Sequence, residues 1–130
     1  MRKNNFPTPY ASEADGTIDV DRVINDFCRV LENRAPQLGA TFRGFLCSRR
    51  ELQYALARYI SVEFDYLNRK SSTFDREYAN EVFRTELIGT GGASFYLAVR
   101  NCVHSMASAM ARDALAADVS AAIGGTDNAD

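Results

Sequence analysis

The sequence predicts an all-α single domain, on three observations. Apolar residues recur at three- and four-residue steps in successive segments, and no segment sustains a period-two alternation. The 130 residues carry 46 % hydrophobic side chains, enough for one continuous core. The expected architecture is a bundle of about five helices over residues 18–123. Residues 1–17 and 124–130 are rich in Asn, Pro, Ser, Gly and Thr without periodicity and are expected to be flexible tails.

The first helix follows from Val20, Val23, Ile24, Phe27, Cys28 and Leu31, with Asp19 as its cap and Ile18 and Val23 spaced as a hydrophobic staple. Pro36 should end it by Asn33 to Arg34, because the residue before a proline avoids the α region. Leu38, Phe42, Phe45 and Leu46 predict a second helix, interrupted by Gly39 and Gly44, each costing up to about 1 kcal/mol in a helix interior. Ser48-Arg49-Arg50-Glu51 has the S-x-x-E form of a capping box and predicts a long third helix from Arg49 to Asn68. Its expected apolar stripe is Leu52, Leu56, Tyr59, Ile60 and Leu67, with Arg58, Glu63 and Asp65 at polar positions. Asp65 and Arg69 stand at the spacing of a helical ion pair.

Ser72 or Asp75 can cap a fourth helix in which Phe74, Tyr78, Val82 and Leu87 share a face, stopped by Gly89-Thr90-Gly91-Gly92. Ser94 then opens the longest run, with Phe95, Val99, Cys102, Val103, Met106 and Met110 at helical steps. From Ala107 onward this run is rich in alanine. Small side chains let another helix approach closely, so it is expected to be a central or oligomeric contact helix.

Charged residues make up 25 % of the chain and sum to a formal −2, so no global field draws it to nucleic acid or anionic lipid. The start, Met1-Arg2-Lys3-Asn4-Asn5, leads into Phe6-Pro7-Thr8-Pro9 instead of an apolar export segment, and no apolar stretch is long enough to span a bilayer. The expectation is a cytoplasmic protein without membrane insertion. Cys28, Cys47 and Cys102, an odd number without close spacing, fit reduced thiols better than disulfides or a zinc site, and no metal site is expected.

Several motifs carry groups capable of chemistry. Gly89 to Ser94 precedes a helix, where backbone N–H groups could hold a phosphate, but it lacks the lysine of a P-loop and reads as an inter-helix turn. His104, the only histidine, stands beside Cys102 on one helix, where adjacent side chains do not face each other. Ser94 has no G-x-S-x-G context. No catalytic set converges, and no enzymatic activity is expected. Arg43, Arg49, Arg50, Arg58, Arg69, Lys70, Arg76 and Arg84 cluster with aromatics, a combination able to grip phosphates and stack on bases. The same stretch carries Glu51, Glu63, Asp65, Asp75, Glu77, Glu81 and Glu86, which favours an ion-paired solvated face. Cys47, placed by this reading at a helix start beside Arg49 and Arg50, is either a thiol activated by dipole and cations or a structural cysteine, the second being favoured.

The central and C-terminal segments resemble the phycobiliproteins, the globin-like subunits of light-harvesting antennae. The residues concerned are Ser48-Arg49-Arg50-Glu51 leading through Tyr54 to Leu56, and Ile88-Gly89-Thr90-Gly91-Gly92-Ala93-Ser94 before Val99 to Ala111. The resemblance covers about residues 48–115 and implies a globin-like arrangement, with Cys47, Arg49 and Arg50 beside a bilin and an arginine on its propionate. Aligned on Glu51 and Leu56, the family's bilin-bearing cysteine falls on Ser48; aligned on Cys47 and Arg49, its aspartate becomes Arg50. Covalent attachment of a bilin is therefore not expected, and the residues themselves point to no cofactor. Leu56-Ala57-Arg58-Tyr59 and Phe64-Asp65-Tyr66 also resemble pieces of filamentous plant-virus coat proteins.

The sequence thus predicts a non-enzymatic helical module that binds a protein partner or itself, with the phycobiliprotein resemblance implying an antenna-related subunit. The alternative is a nucleic-acid-binding or coat-like protein using Arg43, Arg58, Arg69, Lys70 and Arg76.

Overall fold

A computed structural model of the chain describes the backbone of residues 18–128 and the side chains of residues 18–116. The expected N-terminal tail, 1–17, lies outside the described residues, as do residues 129–130. The fold is an all-α bundle of five helices, with no strand among the described residues. They are α1 (Val20–Arg34), α2 (Pro36–Leu46), α3 (Arg50–Leu67), α4 (Thr73–Gly89) and α5 (Tyr96–Asn128), with a 3₁₀ turn over Ala93–Phe95 leading into α5. The backbone of α5 passes through Gly124-Gly125, where the C-terminal tail was expected to begin. No helix among the described residues is long and apolar enough to cross a membrane.

Asp19 caps α1 as expected, its Oδ1 accepting from the Arg22 N–H at 3.2 Å. Ala35 alone separates α1 from α2, because Pro36 forbids continuation and is itself suited to the first position of the next helix. This one-residue joint folds α2 back on α1 so tightly that a Cβ at Gly39 would lie 2.6 Å from the Cα of Glu32. Gly39 is therefore the contact point of the two helices, while Gly44 has nothing within 4 Å of where its Cβ would be. Neither glycine interrupts α2.

The capping box before α3 does not form. Arg49 occupies the cap position without a side-chain bond, and α3 begins at Arg50. The Arg49 N–H is instead held by the Leu46 carbonyl at 3.0 Å, within the turn that continues from α2. α3 is the central element, packed against α1, α2, α4 and α5. Leu52, Leu56, Tyr59 and Ile60 are buried as the stripe predicts, but Leu67 is exposed and Glu63, expected at a polar position, is 1 % exposed.

α3 and α4 end in the same way. Beyond α4, the Gly91 N–H bonds to Ile88 O and the Gly92 N–H to Leu87 O, with Gly91 at φ +93°. Beyond α3, the Arg69 N–H bonds to Tyr66 O and the Lys70 N–H to Asp65 O, but here the left-handed position is filled by Arg69 at φ 63°. Arg69 therefore lies outside the helix and not one turn below Asp65, so the helical geometry of the expected ion pair is lost. Lys70 is the cation that acts on Asp65, opposing the burial that raises its carboxyl.

Ser72 caps α4, its Oγ accepting from the Asp75 N–H at 3.0 Å. The inward face of α4 is Ala79, Phe83 and Leu87, with Val82 packed beside them; of the face expected from spacing, Leu87 and Val82 point to the core but Phe74 and Tyr78 do not. Phe74 and Tyr78 are exposed at 73 % and 57 %, stacked on each other with centroids 6.3 Å apart. The same inward face carries Arg76, which reaches Glu63 on α3. Aromatic contacts join the layers: Phe27 meets Phe42 edge-on at 5.9 Å, Phe42 meets Phe95 at 6.0 Å, and Tyr59 stacks on Phe83 at 5.6 Å. Cys28 and Cys102 are buried in the same core, as small apolar side chains.

Candidate functional site

Two places carry more chemistry than the packing of a bundle needs. The first is a polar network where α3, α4 and α5 meet. Glu63 lies on the buried face of α3, one turn beyond Tyr59 and Ile60, so the helix itself carries its carboxylate into the interior. A buried carboxylate persists only when it is paired and hydrogen-bonded. Arg76 supplies a two-pronged bond, Nε to Oε1 at 2.8 Å and Nη2 to Oε2 at 3.1 Å. His104 completes the set, its Nδ1 lying 2.7 Å from Oε2.

The ionised carboxylate can only accept, so the Nδ1 of His104 carries the proton it donates to Glu63. In the neutral imidazole Nε2 then accepts from the Tyr59 hydroxyl, 3.3 Å away. Burial and the Glu63 charge push the Tyr59 phenol well above its ordinary range, so it stays a neutral donor. Hydrogen bonding to Glu63 raises Arg76 further above its already high value. The Arg76 guanidinium also lies 4.4 Å from the Tyr66 ring centroid. Beside this network opens a cleft of about 130 Å³ lined by Tyr59, Arg76, Glu77, Asn80, Arg100 and His104. Asn80 is fixed by the Tyr96 hydroxyl, which donates to its Oδ1 at 2.6 Å. Arg100 has a buried Nε with no hydrogen-bond partner among the described residues.

The second place is a groove of about 570 Å³ where the end of α3 meets the far half of α5, lined by Leu67, Asn68, Arg69, Ser108, Ala111, Arg112 and Leu115. Leu67 and Leu115 are 39 % and 55 % exposed. Two arginines, and no carboxylate, are among its described lining residues.

The residues singled out from sequence are distributed otherwise. Cys47 is exposed and caps the C-terminus of α2, its N–H bonded to Arg43 O, so it stands at a helix end and not at a helix start. Arg49 and Arg50 share its turn. Arg50 donates to Asp21 at 2.9 Å and to Gln53 at 2.6 Å, and its guanidinium lies 4.9 Å from the Tyr54 ring centroid. Of the basic residues proposed to meet nucleic acid, Arg43 grips Glu32 through two bonds of 2.7 and 3.1 Å, and Arg76 grips Glu63. These pairs draw Arg43 toward α1 and Arg76 toward α3. Arg58, Arg69 and Lys70 are exposed.

Glu63 and Arg100 were missed as site residues. The signal for Glu63 was present: positions 52, 56, 59, 60 and 63 continue one helical stripe, and an acid inside such a stripe demands a buried partner. Comparison with family models, curated proteins and solved structures gives no match to the chain.

Proposed function

We propose that the chain is a non-enzymatic interaction module whose docking surface is the Leu67–Leu115 groove, and that its partner is a protein segment presenting apolar side chains among carboxylates. The observation that carries this reading is the lining of the groove: the exposed Leu67 and Leu115 together with Arg69 and Arg112, with no opposing carboxylate among the described lining residues. Apolar anchors flanked by unlike charge favour an amphipathic acidic helix, since burial gives affinity and the arginines select orientation and partner. Arg69 adds support. It holds a left-handed backbone position that favours glycine, at a cost on the order of 1 kcal/mol, which a purely structural turn has no reason to retain. The stacked Phe74 and Tyr78 give the module further exposed aromatic surface.

The test is fluorescence anisotropy with a labelled amphipathic peptide of leucine and glutamate, set against its leucine and lysine counterpart. The acidic peptide should bind in a salt-sensitive manner, and Leu115→Asp or Arg112→Glu should weaken it by about tenfold or more. Equal binding of both peptides, or indifference to both substitutions, overturns the reading. Light scattering across concentration gives the second check: self-association abolished by Leu115→Asp would assign the groove to a second copy of the chain instead.

A further inference from the structure

We propose that the occupant of the docking groove is the outward face of α4 in a second copy of this chain, the two copies exchanging these surfaces about a two-fold axis. The inference rests on the groove being a docking surface and names what fills it.

The groove calls for a helix that shows apolar side chains among carboxylates, and α4 is such a helix. Ala79, Phe83 and Leu87 turn inward, so Phe74, Tyr78, Glu81, Thr85 and Ile88, on the opposite side, form a second stripe that faces solvent. Phe74, Tyr78 and Ile88 in this stripe are 73, 57 and 40 % exposed, more apolar surface than a solvated helix face needs. Asp75 and Glu77 flank the stacked Phe74 and Tyr78. Both carboxylates are exposed, and neither is in an ion pair among the described residues. Arg76 is turned in to Glu63, and Arg84 is held by Glu81 within the helix, so the excess charge beside the aromatic pair is negative.

The groove carries the reverse. Arg69 and Arg112 are exposed and in no ion pair among the described residues, beside the exposed Leu67 and Leu115. Two unmatched cations next to two leucines thus answer two unmatched carboxylates next to two aromatic rings. Complementary potentials of this kind select the partner and fix its register.

Placement decides for a closed pair. On α5, Arg100, His104, Ser108, Ala111 and Leu115 follow steps of four, four, three and four, so they form one row. The first two line the cleft against α4 and the last three line the groove, which therefore opens on the side of the bundle where α4 lies. Glu63 meets Arg76 of α4 and His104 of α5 at one level, and Leu67 on α3 and Phe74 on α4 both lie beyond that level, with only residues 68–72 between the two helices. Phe74 and Tyr78 point to solvent, so the chain's own α4 does not fill its groove. A surface that holds both halves side by side is self-complementary. Each half meets the other half of the second copy, and the contact closes as a dimer instead of growing into a chain.

Light scattering and sedimentation across concentration, combined with charge reversal, test the pairing. The unaltered chain should dimerise, more weakly at high salt. Arg112→Glu and Glu77→Arg should each weaken dimerisation by about tenfold or more, since one substitution acts twice in a two-fold contact. Both side chains are exposed, so circular dichroism should show the parent fold in each variant. Mixed in equal amounts, the two variants should recover a dimer near the parent strength, because the new glutamate then faces the new arginine and the remaining Arg112 faces the remaining Glu77. A chain that stays monomeric, a dimer indifferent to both reversals, or a mixture that fails to recover would overturn the proposal. Mass growing past two copies would overturn the closed pairing. Failure here is separable from failure of the groove: a monomeric chain that still binds the acidic leucine peptide keeps the groove and loses only this occupant, whereas a monomer that does not bind the peptide loses both.

Discussion

The Nδ1 of His104 donates to the Oε2 of Glu63 at 2.7 Å, across 41 positions of sequence, and with Arg76 it ties α5, α3 and α4 to one buried carboxylate. Replacing the carboxylate by an amide removes its charge and leaves Arg76, which is 33 % exposed, and His104 to share one acceptor oxygen in place of two. Glu63→Gln should destabilise the fold by roughly 2–4 kcal/mol in urea unfolding, below the full figure for a buried pair because Arg76 still meets water. Glu63→Leu combined with Arg76→Met should recover most of that loss, since apolar replacement of a buried ion pair is often neutral or better. A double variant no more stable than the single one would locate the loss in packing, not in stranded charge.

The two glycines of α2 should respond in opposite senses. At Gly39 a methyl would meet the Cα and N of Glu32 at 2.6 and 2.7 Å, backbone atoms that cannot rotate aside. Gly39→Ala should therefore push α1 and α2 apart and lose about 1–3 kcal/mol. At Gly44 a methyl meets nothing, and Gly44→Ala should gain roughly 0.5–1 kcal/mol by lowering the entropy of the unfolded chain. Thermal melts of both variants decide this, and a common sign would contradict the one-residue joint at Ala35.

That pair shows what sequence could and could not convey. Helical spacing located the helices, and Asp19, Ser72 and Pro36 marked boundaries that the structure keeps, because caps and prolines act over a few residues. The rotation of α4 was hidden. Phe74 and Tyr78 suit an apolar face, but the partner of Arg76 is set by Glu63 on another helix. The Ser48–Glu51 box failed for a similar reason: the turn running on from α2 extends to Arg49, which takes the cap position of α3, so Ser48 stands one residue too early to cap the helix. Arg100 stood in a run read only for its apolar residues, and its missing partner is visible only once α4 and α5 are assembled.

The cysteines should separate by reactivity. Cys47 is exposed, so a thiol reagent should label it in the folded protein far faster than Cys28 or Cys102, which are buried. Burial pushes the Cys28 thiol up from 9.0 to about 11, and Cys102 moves in the same direction. Between pH 9 and 11 the folded chain keeps the Cys28 proton that the unfolded chain releases, so stability falls as pH rises through that window, by roughly 1–3 kcal/mol. Denaturant unfolding across the window should show the fall, and Cys28→Ala should reduce it, the remainder coming from Cys102 and Tyr59, which burial raises in the same direction. Co-expression with a bilin source, followed by zinc fluorescence on a denaturing gel, should give no pigment on Cys47; a fluorescent band lost in Cys47→Ser would restore a chromophore role.

Arg69 offers the clearest separation of stability from binding. It sits where the chain leaves α3, at φ 63°, in a turn whose counterpart after α4 uses Gly91 at φ +93°. Only the side chain distinguishes the two turns, because the same pair of backbone bonds closes each. Arg69→Gly should thus raise the unfolding free energy by about 0.5–1 kcal/mol, by removing the left-handed penalty. In the same variant the groove loses one of its two arginines, so binding of the acidic amphipathic peptide should weaken and its salt dependence should diminish. Arg69→Lys divides the two effects: it keeps the charge and the backbone penalty, so stability should stay near that of the parent while most of the affinity remains. A glycine variant that is more stable yet binds unchanged would strip Arg69 of any part in docking and leave its strained conformation unexplained by function.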